Sequence, residues 1–282
     1  MKETTDYSIS LIRALVIMLV LTYVSVKVPQ ANSYIFITSL FTSIVLGMIL
    51  LMQFNKGGDK FRLRLHREAF PTLFFAGAII VVLNVAAWQI LRSHLPIFQG
   101  FAALSFVVLG FIIYFFRKPA PNNFAELNAS KIIAPAFGRV VNIEPVMEQE
   151  HFQKEMQLIS IFMSPLNIHA NWAPIAGNID YYKYYPGKYL VAFHPKSSEL
   201  NEHSSTAIVN DQYGVLVKQI AGFMARKIVS YIPGKSEIDQ LGELGFIRFG
   251  SRVDVFMPLD AEVIVKKGDR VIGGQTILAN MP

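Results

Sequence analysis

No cysteine occurs in the 282 residues. Disulfides and thiolate metal sites are excluded, and a reducing compartment is permitted. Charge is scarce: Asp, Glu, Lys and Arg make up 16% of the chain, against 52% hydrophobic residues. With a mean hydropathy of +0.39, the chain is too apolar for an ordinary soluble protein and points to membrane spans. Acidic residues are nearly missing from residues 1–118, which hold 4 against 11 Lys and Arg; residues 119–282 hold 16 against 15. The net charge of +6 therefore belongs to the apolar half. Nucleic-acid binding calls for a basic stripe on a folded domain, so no nucleic-acid partner is expected. No His/Glu spacing matches a zinc helix, and no metal is expected.

Long uncharged runs are what the first half does have. Residues 33–52, 70–91 and 95–116 are each long enough to cross a hydrocarbon core of about 30 Å as a helix. A fourth run, extended to about 9–27, spans if Arg13 snorkels to the interface. The alternative for it is a signal peptide, although no small-x-small cleavage site follows. Runs 70–91 and 95–116 are three residues apart and predict a helical hairpin. Lys56, Lys60, Arg62, Arg64 and Arg67 crowd residues 53–69, and Arg117 and Lys118 follow the last run; the alternate loops carry only Lys27 and Arg92. With four spans, the positive-inside rule puts both termini and the rest of the chain in the cytoplasm, against the cell (inner) membrane. His66, in the basic loop, and His94, in the hairpin turn, read as headgroup contacts.

Residues 119–282 suffice for one domain with its own core. Strand patterns dominate it, at 139–143, 158–163, 178–182, 207–210, 215–220, 246–257 and 262–266, separated by Pro-Gly, Lys-Gly-Asp and Gly-Gly turns. One helix is expected at 220–230 and a polar loop at 200–206. Glu148, Glu150 and His151 read as a solvated cluster, and His194 and His203 as loop positions near the site. Pro-Gly-Lys-Ser at 233–236 lacks the first glycine of a phosphate loop, and Asn128-Ala-Ser has no meaning as a glycosylation triplet in the cytoplasm. A weak repeat, APAFGRVVNI against APIAGNIDYY, has the flavour of a lipoyl-type half-barrel. The fold class is N-terminal transmembrane helices followed by a mainly-β (α+β) domain with half-barrel sandwich character.

The stretch FIRFGSRVDVF, residues 246–256, poses the sharpest question. Its alternation is that of a strand, yet Gly250 and Ser251 interrupt the centre, with Ser251 on the apolar face. A buried hydroxyl needs a partner.

In its setting, this Gly-Ser is identified with a family. From about residue 60 to 279 the chain resembles the short bacterial and archaeal form of the phosphatidylserine decarboxylases. The motifs run in one order: RLHREAF before the hairpin, FFRKP, APAFGRVV, ISIFMSPLNIHANWAPIAG, YYPGKYLVAFHPKSSELNE, QIAGFMARKIV and LGFIRFGSRVDVFMP. The resemblance implies self-cleavage between Gly250 and Ser251, which leaves a pyruvoyl group at position 251 and chains of residues 1–250 and 251–282 that stay associated. It implies decarboxylation of phosphatidylserine to phosphatidylethanolamine and CO2 through a Schiff base with that group, and a homodimer. It marks His169 as base for Ser251 or as proton donor after CO2 loss. A lipid substrate also fits a domain held at an anionic headgroup layer.

Two positions depart from the family pattern. Phe137 stands where the family's P-A-D-G motif has an Asp that orients a His, and Trp172 stands where a His or a basic residue is usual. Asp180 and Asp254 are the carboxylates available to substitute. Three outcomes stay open: an enzyme that cleaves without that Asp, a variant locked as proenzyme, and an uncleaved, inactive decarboxylase fold that binds lipid or scaffolds partners.

Overall fold

The computed structural model describes residues 64–119, 124–188, 201–222, 227–248 and 250–281. The expected spans at 9–27 and 33–52, the side chains of Lys56, Lys60, Arg62 and Arg64, and His194 lie outside what is described. The chain divides into two compact units between Arg117 and Lys118.

In the first unit, strand β1 (Arg64–Leu65) leads to helix α1 (Ala69–Leu91), helix α2 (Leu95–Phe115) and the short strand β2 (Arg117–Lys118). The sequence placed the two helices within one residue at each end. Both are long and apolar enough to cross a membrane. Pro96 falls in the first turn of α2, where its missing N–H has no helical partner to lose. The hairpin is held near its tip by an edge-to-face contact of Trp88 and Phe98, centroids 5.1 Å apart. Deeper down, Asn84 donates to Ser105 Oγ at 3.0 Å and to the Ile80 carbonyl at 2.8 Å. Such a bond holds helices together where apolar surroundings offer no hydrophobic drive. The outward faces are apolar, with Phe74, Phe75, Val82 and Ile90 all more than half exposed. His66 does not reach outward: it is buried, and its Nδ1 accepts the Glu68 N–H at 3.2 Å. His94 is exposed at the N-terminus of α2.

The second unit is mainly β. Eight antiparallel strands form its main sheet, in the order β11 (Glu237–Ile238), β7 (Gly177–Tyr185), β8 (His203–Val209), β9 (Gly214–Ala221), β13 (Ser251–Met257), β5 (Lys154–Met163), β4 (Gly138–Glu148) and β15 (Arg270–Val271). Two three-stranded sheets accompany it. One is ordered β10 (Ile228–Ser230), β12 (Glu243–Ile247), β6 (Ala170–Trp172); the other β14 (Glu262–Val263), β16 (Ile277–Asn280), β3 (Lys131–Ile133). The core lies between them. Ile159, Ile161, Val217, Val253 and Val255 of the main sheet meet Ile132, Leu278, Leu244 and Ile247 of the smaller ones, all fully buried. Each such side chain contributes roughly 1.5–3 kcal/mol of burial. A second cluster, with Leu158, Leu216 and Phe256, covers the opposite face.

Several expectations change. The strand at 246–257 is not continuous: it breaks between β12 and β13, and Gly250 turns left-handed with φ +72°. The helix at 220–230 is absent where described, because Ala221 ends β9 and Ile228–Ser230 form β10. At Ala221 and Ile228, cross-strand pairing decides the local structure. The polar loop at 200–206 is largely strand β8, and Ser204, Ser205 and Thr206 are buried in the sheet. His203 is accordingly a buried strand residue and not a loop position. The 148–151 cluster is not solvated either. Glu148 is buried and accepts the N–H groups of Glu150, His151 and Phe152, which closes the turn after β4. Glu150 pairs with Lys218 and lies 3.7 Å from His203 Nε2. Burial would raise the Glu150 pKa, but the contacts from His203, Lys218 and Ser205 outweigh it and hold the carboxyl at about 2.

Candidate active site

Strand β13 is central in the main sheet, and Ser251 is its first residue. Ser251 is paired with Met163 of β5 on one side and Ala221 of β9 on the other. Strand alternation turns Ser251 to the same face as Val253 and Val255, the core face. Its hydroxyl is fully buried and donates to Met163 Sδ at 3.2 Å. A thioether is a weak acceptor, so the hydroxyl is satisfied without being held firmly. Gly250, immediately before it, is half-buried. The left-handed backbone there suits glycine, and only Pro165 Cγ, at 4.0 Å, stands near the place of a Cβ.

The segment Met163 to His169 brings the imidazole to this kink. Ser164 to Asn167 form a tight turn, in which Asn167 Oδ1 accepts both the N–H (2.8 Å) and the hydroxyl (2.9 Å) of Ser164. The chain then returns to β6, and the His169 carbonyl accepts the Ile247 N–H at 3.1 Å. His169 is fully buried. Its Nε2 lies 3.1 Å from the Gly250 nitrogen, and its Nδ1 2.9 Å from the Asn167 carbonyl. An amide N–H only donates and a carbonyl only accepts. The imidazole is therefore the neutral Nδ1–H tautomer, with its Nε2 lone pair accepting the Gly250 N–H, one peptide before the Gly250–Ser251 bond. A backbone carbonyl fixes the tautomer here, the task a carboxylate performs in a Ser-His-Asp triad.

Phe137 and Trp172, the two positions expected to depart from the family pattern, are neighbours. The rings of Phe137 and Trp172 meet edge to face at 5.8 Å, and Phe124 meets Trp172 at 5.5 Å. Trp172 is fully buried, and a Cβ on Gly273 would stand 2.9 Å from both rings. The side chains at these two positions thus pack against each other. Neither carboxylate considered as a substitute is idle. Asp254 lies on the opposite face of β13 from Ser251, fully buried, and accepts from Arg252 at 2.6 and 2.9 Å. Asp180 is exposed and lies 2.8 Å from His151 Nε2.

Sequence reasoning missed a buried polar string beside the site. Ser204 donates to Gln219, Gln219 to Asn171, and Asn171 towards Met163 Sδ, the atom that also receives the Ser251 hydroxyl. The signal for it was polar residues on strands that otherwise read as core.

Comparison with known proteins agrees with this arrangement. The family described as phosphatidylserine decarboxylase matches residues 108–279. A phosphatidylserine decarboxylase proenzyme of Cytophaga hutchinsonii is 41% identical over 216 residues, 76% of this chain and 97% of that protein. One of Amoebophilus asiaticus is 44% identical over 223 residues, 78% of this chain and 97% of that protein. One of Phocaeicola vulgatus is 39% identical over 222 residues, with 78% and 96% covered. With a buried imidazole nitrogen accepting the Gly250 N–H beside Ser251 and its sequence aligned along nearly the whole length of such relatives, the chain belongs to the phosphatidylserine decarboxylase family.

Proposed function

We propose that the chain is a membrane-anchored phosphatidylserine decarboxylase that matures by cutting itself between Gly250 and Ser251. The observation that carries the reading is His169 Nε2 accepting the N–H of a left-handed Gly250 whose neighbour is a buried serine. For the cut, the Ser251 hydroxyl turns from Met163 Sδ and gives its proton to His169 Nε2, which releases the Gly250 N–H. Ser251 Oγ bonds to the Gly250 carbonyl carbon, the C–N bond breaks, and the proton passes to the Ser251 nitrogen, leaving an ester. Loss of the Ser251 α-proton then breaks the Cβ–Oγ bond. Gly250 departs as a carboxylate, and position 251 becomes dehydroalanine. Water converts that to a pyruvoyl group and ammonia. The name proenzyme carried by the relatives supports such a step.

The residues fit a pyruvoyl group at position 251: its place is buried, clamped by two strands and adjacent to a proton carrier. When formed, the group supplies a carbonyl that condenses with the substrate amine and withdraws electrons as CO2 leaves. His169, one residue away, holds the proton that the product carbon requires. The reading takes residues 1–118 as the membrane region and 119–282 as the cytoplasmic catalytic domain. Apolar outward side chains on α1 and α2, with Arg117 and Lys118 after them, support an anchor at an anionic headgroup layer.

Intact mass spectrometry of the detergent-purified chain is the test. Chains of 1–250 and 251–282, the second beginning in pyruvoyl, are expected, with CO2 released from phosphatidylserine in mixed micelles. An uncut chain would instead favour the uncleaved lipid-binding reading, to which the Phe137–Trp172 pair lends its weight. Turnover of free serine with none of the lipid would sink the substrate assignment.

A further inference from the structure

Attack on the Gly250 carbonyl places a negative charge on its oxygen. What stands beside that oxygen decides how easily the charge forms. In this structure the Gly250 carbonyl accepts the Gly222 N–H at 3.1 Å. The bond is the next rung of the β9–β13 ladder beyond the Ser251–Ala221 pair. It sits at the upper end of the 2.7–3.1 Å range suited to an oxyanion donor. Gly222 is buried, so the donor acts away from bulk water.

The donor is also held in place. The Gly222 N–H shares a rigid plane with the Ala221 carbonyl. That carbonyl accepts Asn201 Nδ2 at 2.7 Å, and Asn201 is fully buried. Ala221 N–H in turn donates to the Glu202 carbonyl at 2.9 Å, and Glu202 Oε1 accepts the Ile228 N–H at 3.0 Å. The peptide is therefore fixed from the side away from the scissile bond. Its donor is aimed before the reaction starts and needs no reorganisation during it.

We propose that the Ala221–Gly222 peptide is the oxyanion donor for self-cleavage, with Asn201 as the residue that positions it. The proposal rests on the self-cleavage reading. In the step, Ser251 Oγ forms a bond to the Gly250 carbon while its proton goes to His169 Nε2. The carbonyl π pair moves onto the Gly250 oxygen, to which the Gly222 N–H donates. The pair returns as the C–N bond breaks and the Ser251 nitrogen takes the proton.

The test replaces the amide before residue 222 by an ester in semisynthetic full-length chain, which deletes the N–H and keeps the side chains. Cleavage is followed by intact mass in detergent, beside an all-amide chain made the same way. A loss of about 100-fold in rate is expected. Cleavage of the ester chain at the parent rate overturns the proposal and leaves the self-cleavage reading standing. If the all-amide chain itself stays uncut, both fail. A second arm reads the bond directly, in uncut Ser251→Ala chains with a 13C carbonyl at Gly250. Both the ester and Asn201→Ala should move the Gly250 carbonyl band to higher wavenumber. Asn201→Ala in the Ser251 chain should slow cleavage by about tenfold, between parent and ester. An unmoved band in Asn201→Ala at unchanged cleavage removes Asn201 from the role.

Discussion

Phe137→Asp restores the acid that the family motif carries, and the structure predicts that by itself it harms the protein. The Phe137 ring is half-buried against Trp172. Removing a fully buried Phe costs about 3–5 kcal/mol, and half-burial takes roughly half of that. A carboxylate left facing aromatic rings without a partner adds about 1–3 kcal/mol. The combined loss is roughly 3–5 kcal/mol. For a folding unit of this size it lowers the melting temperature by about 10 °C or more. Trp172→Arg alone buries an unpaired guanidinium and is expected to do worse. Together the two changes place opposite charges where the rings now meet, and each repairs part of the other's damage. A double-mutant cycle, read by thermal melting of detergent-solubilised Ser251→Ala chains, should give a favourable coupling of about 2 kcal/mol or more. Additive single effects, within about 0.5 kcal/mol, would refute the claim that these side chains form one packed unit. Maturation of the Phe137→Asp single variant, measured with Ser251 intact, is expected not to accelerate, because the Asn167 carbonyl already holds His169 Nδ1.

Three further outcomes follow from the geometry. His169→Ala should slow chain cutting by about 100-fold or more, with partial recovery when imidazole is added to fill the space; unchanged cutting on mass spectra would remove His169 as the base. Gly250→Ala should cost about 1–2 kcal/mol in melting of the uncut Ser251→Ala chain, from its φ of +72° alone, since the nearest atom to a Cβ is 4.0 Å away. Glu150 has a folded pKa of about 2, below the ordinary 4.5, so its contribution to stability is complete above about pH 4.5 and is lost as pH falls toward 2. Glu150→Gln should lower the melting temperature at neutral pH by leaving Lys218 without its partner, and should flatten the acid limb of the stability curve.

The hairpin was legible in the sequence because a membrane-length apolar run has few other uses, and α1 and α2 begin and end where the charges do. The central strands were legible for a related reason: Leu158 to Met163 and Val215 to Ile220 are mostly β-branched or apolar, broken only by Ser160, Lys218 and Gln219, on a sheet with both faces covered. What the sequence concealed is set by partners distant in the chain. Residues 220–230 carry helix formers, yet Ala221 and Ile228 answer to β13 and β12. Ser204, Ser205 and Thr206 look like a loop because polar residues seldom line a sheet interior, and here Gln219 and the neighbourhood of Glu150 receive two of them. Around the site, His169 and Ser251 stood out as side chains with chemistry. The backbone groups on His169 and on the Gly250 carbonyl did not, because the Asn167 carbonyl and the Gly222 N–H have no signature in residue identity. The contact between Phe137 and Trp172 was equally hidden, since 35 positions separate them in the chain.

The placement of Ser251 at the head of a central strand also sets an order of events. Strand β13 is hydrogen-bonded along its whole length between β5 and β9, and the segment beyond it supplies β15 to one sheet and β16 to another. A free fragment of that segment would have to insert into the middle of a finished sheet, so on the proposed reading the chain has to fold while continuous, and the proposed cut comes afterwards. The cut then changes what unfolding means. Before it, refolding is unimolecular and independent of concentration; after it, recovery needs two separate molecules to meet. A matured protein that once comes apart in dilute solution does not return, and its lifetime is governed by the height of the unfolding barrier instead of the depth of the folded well.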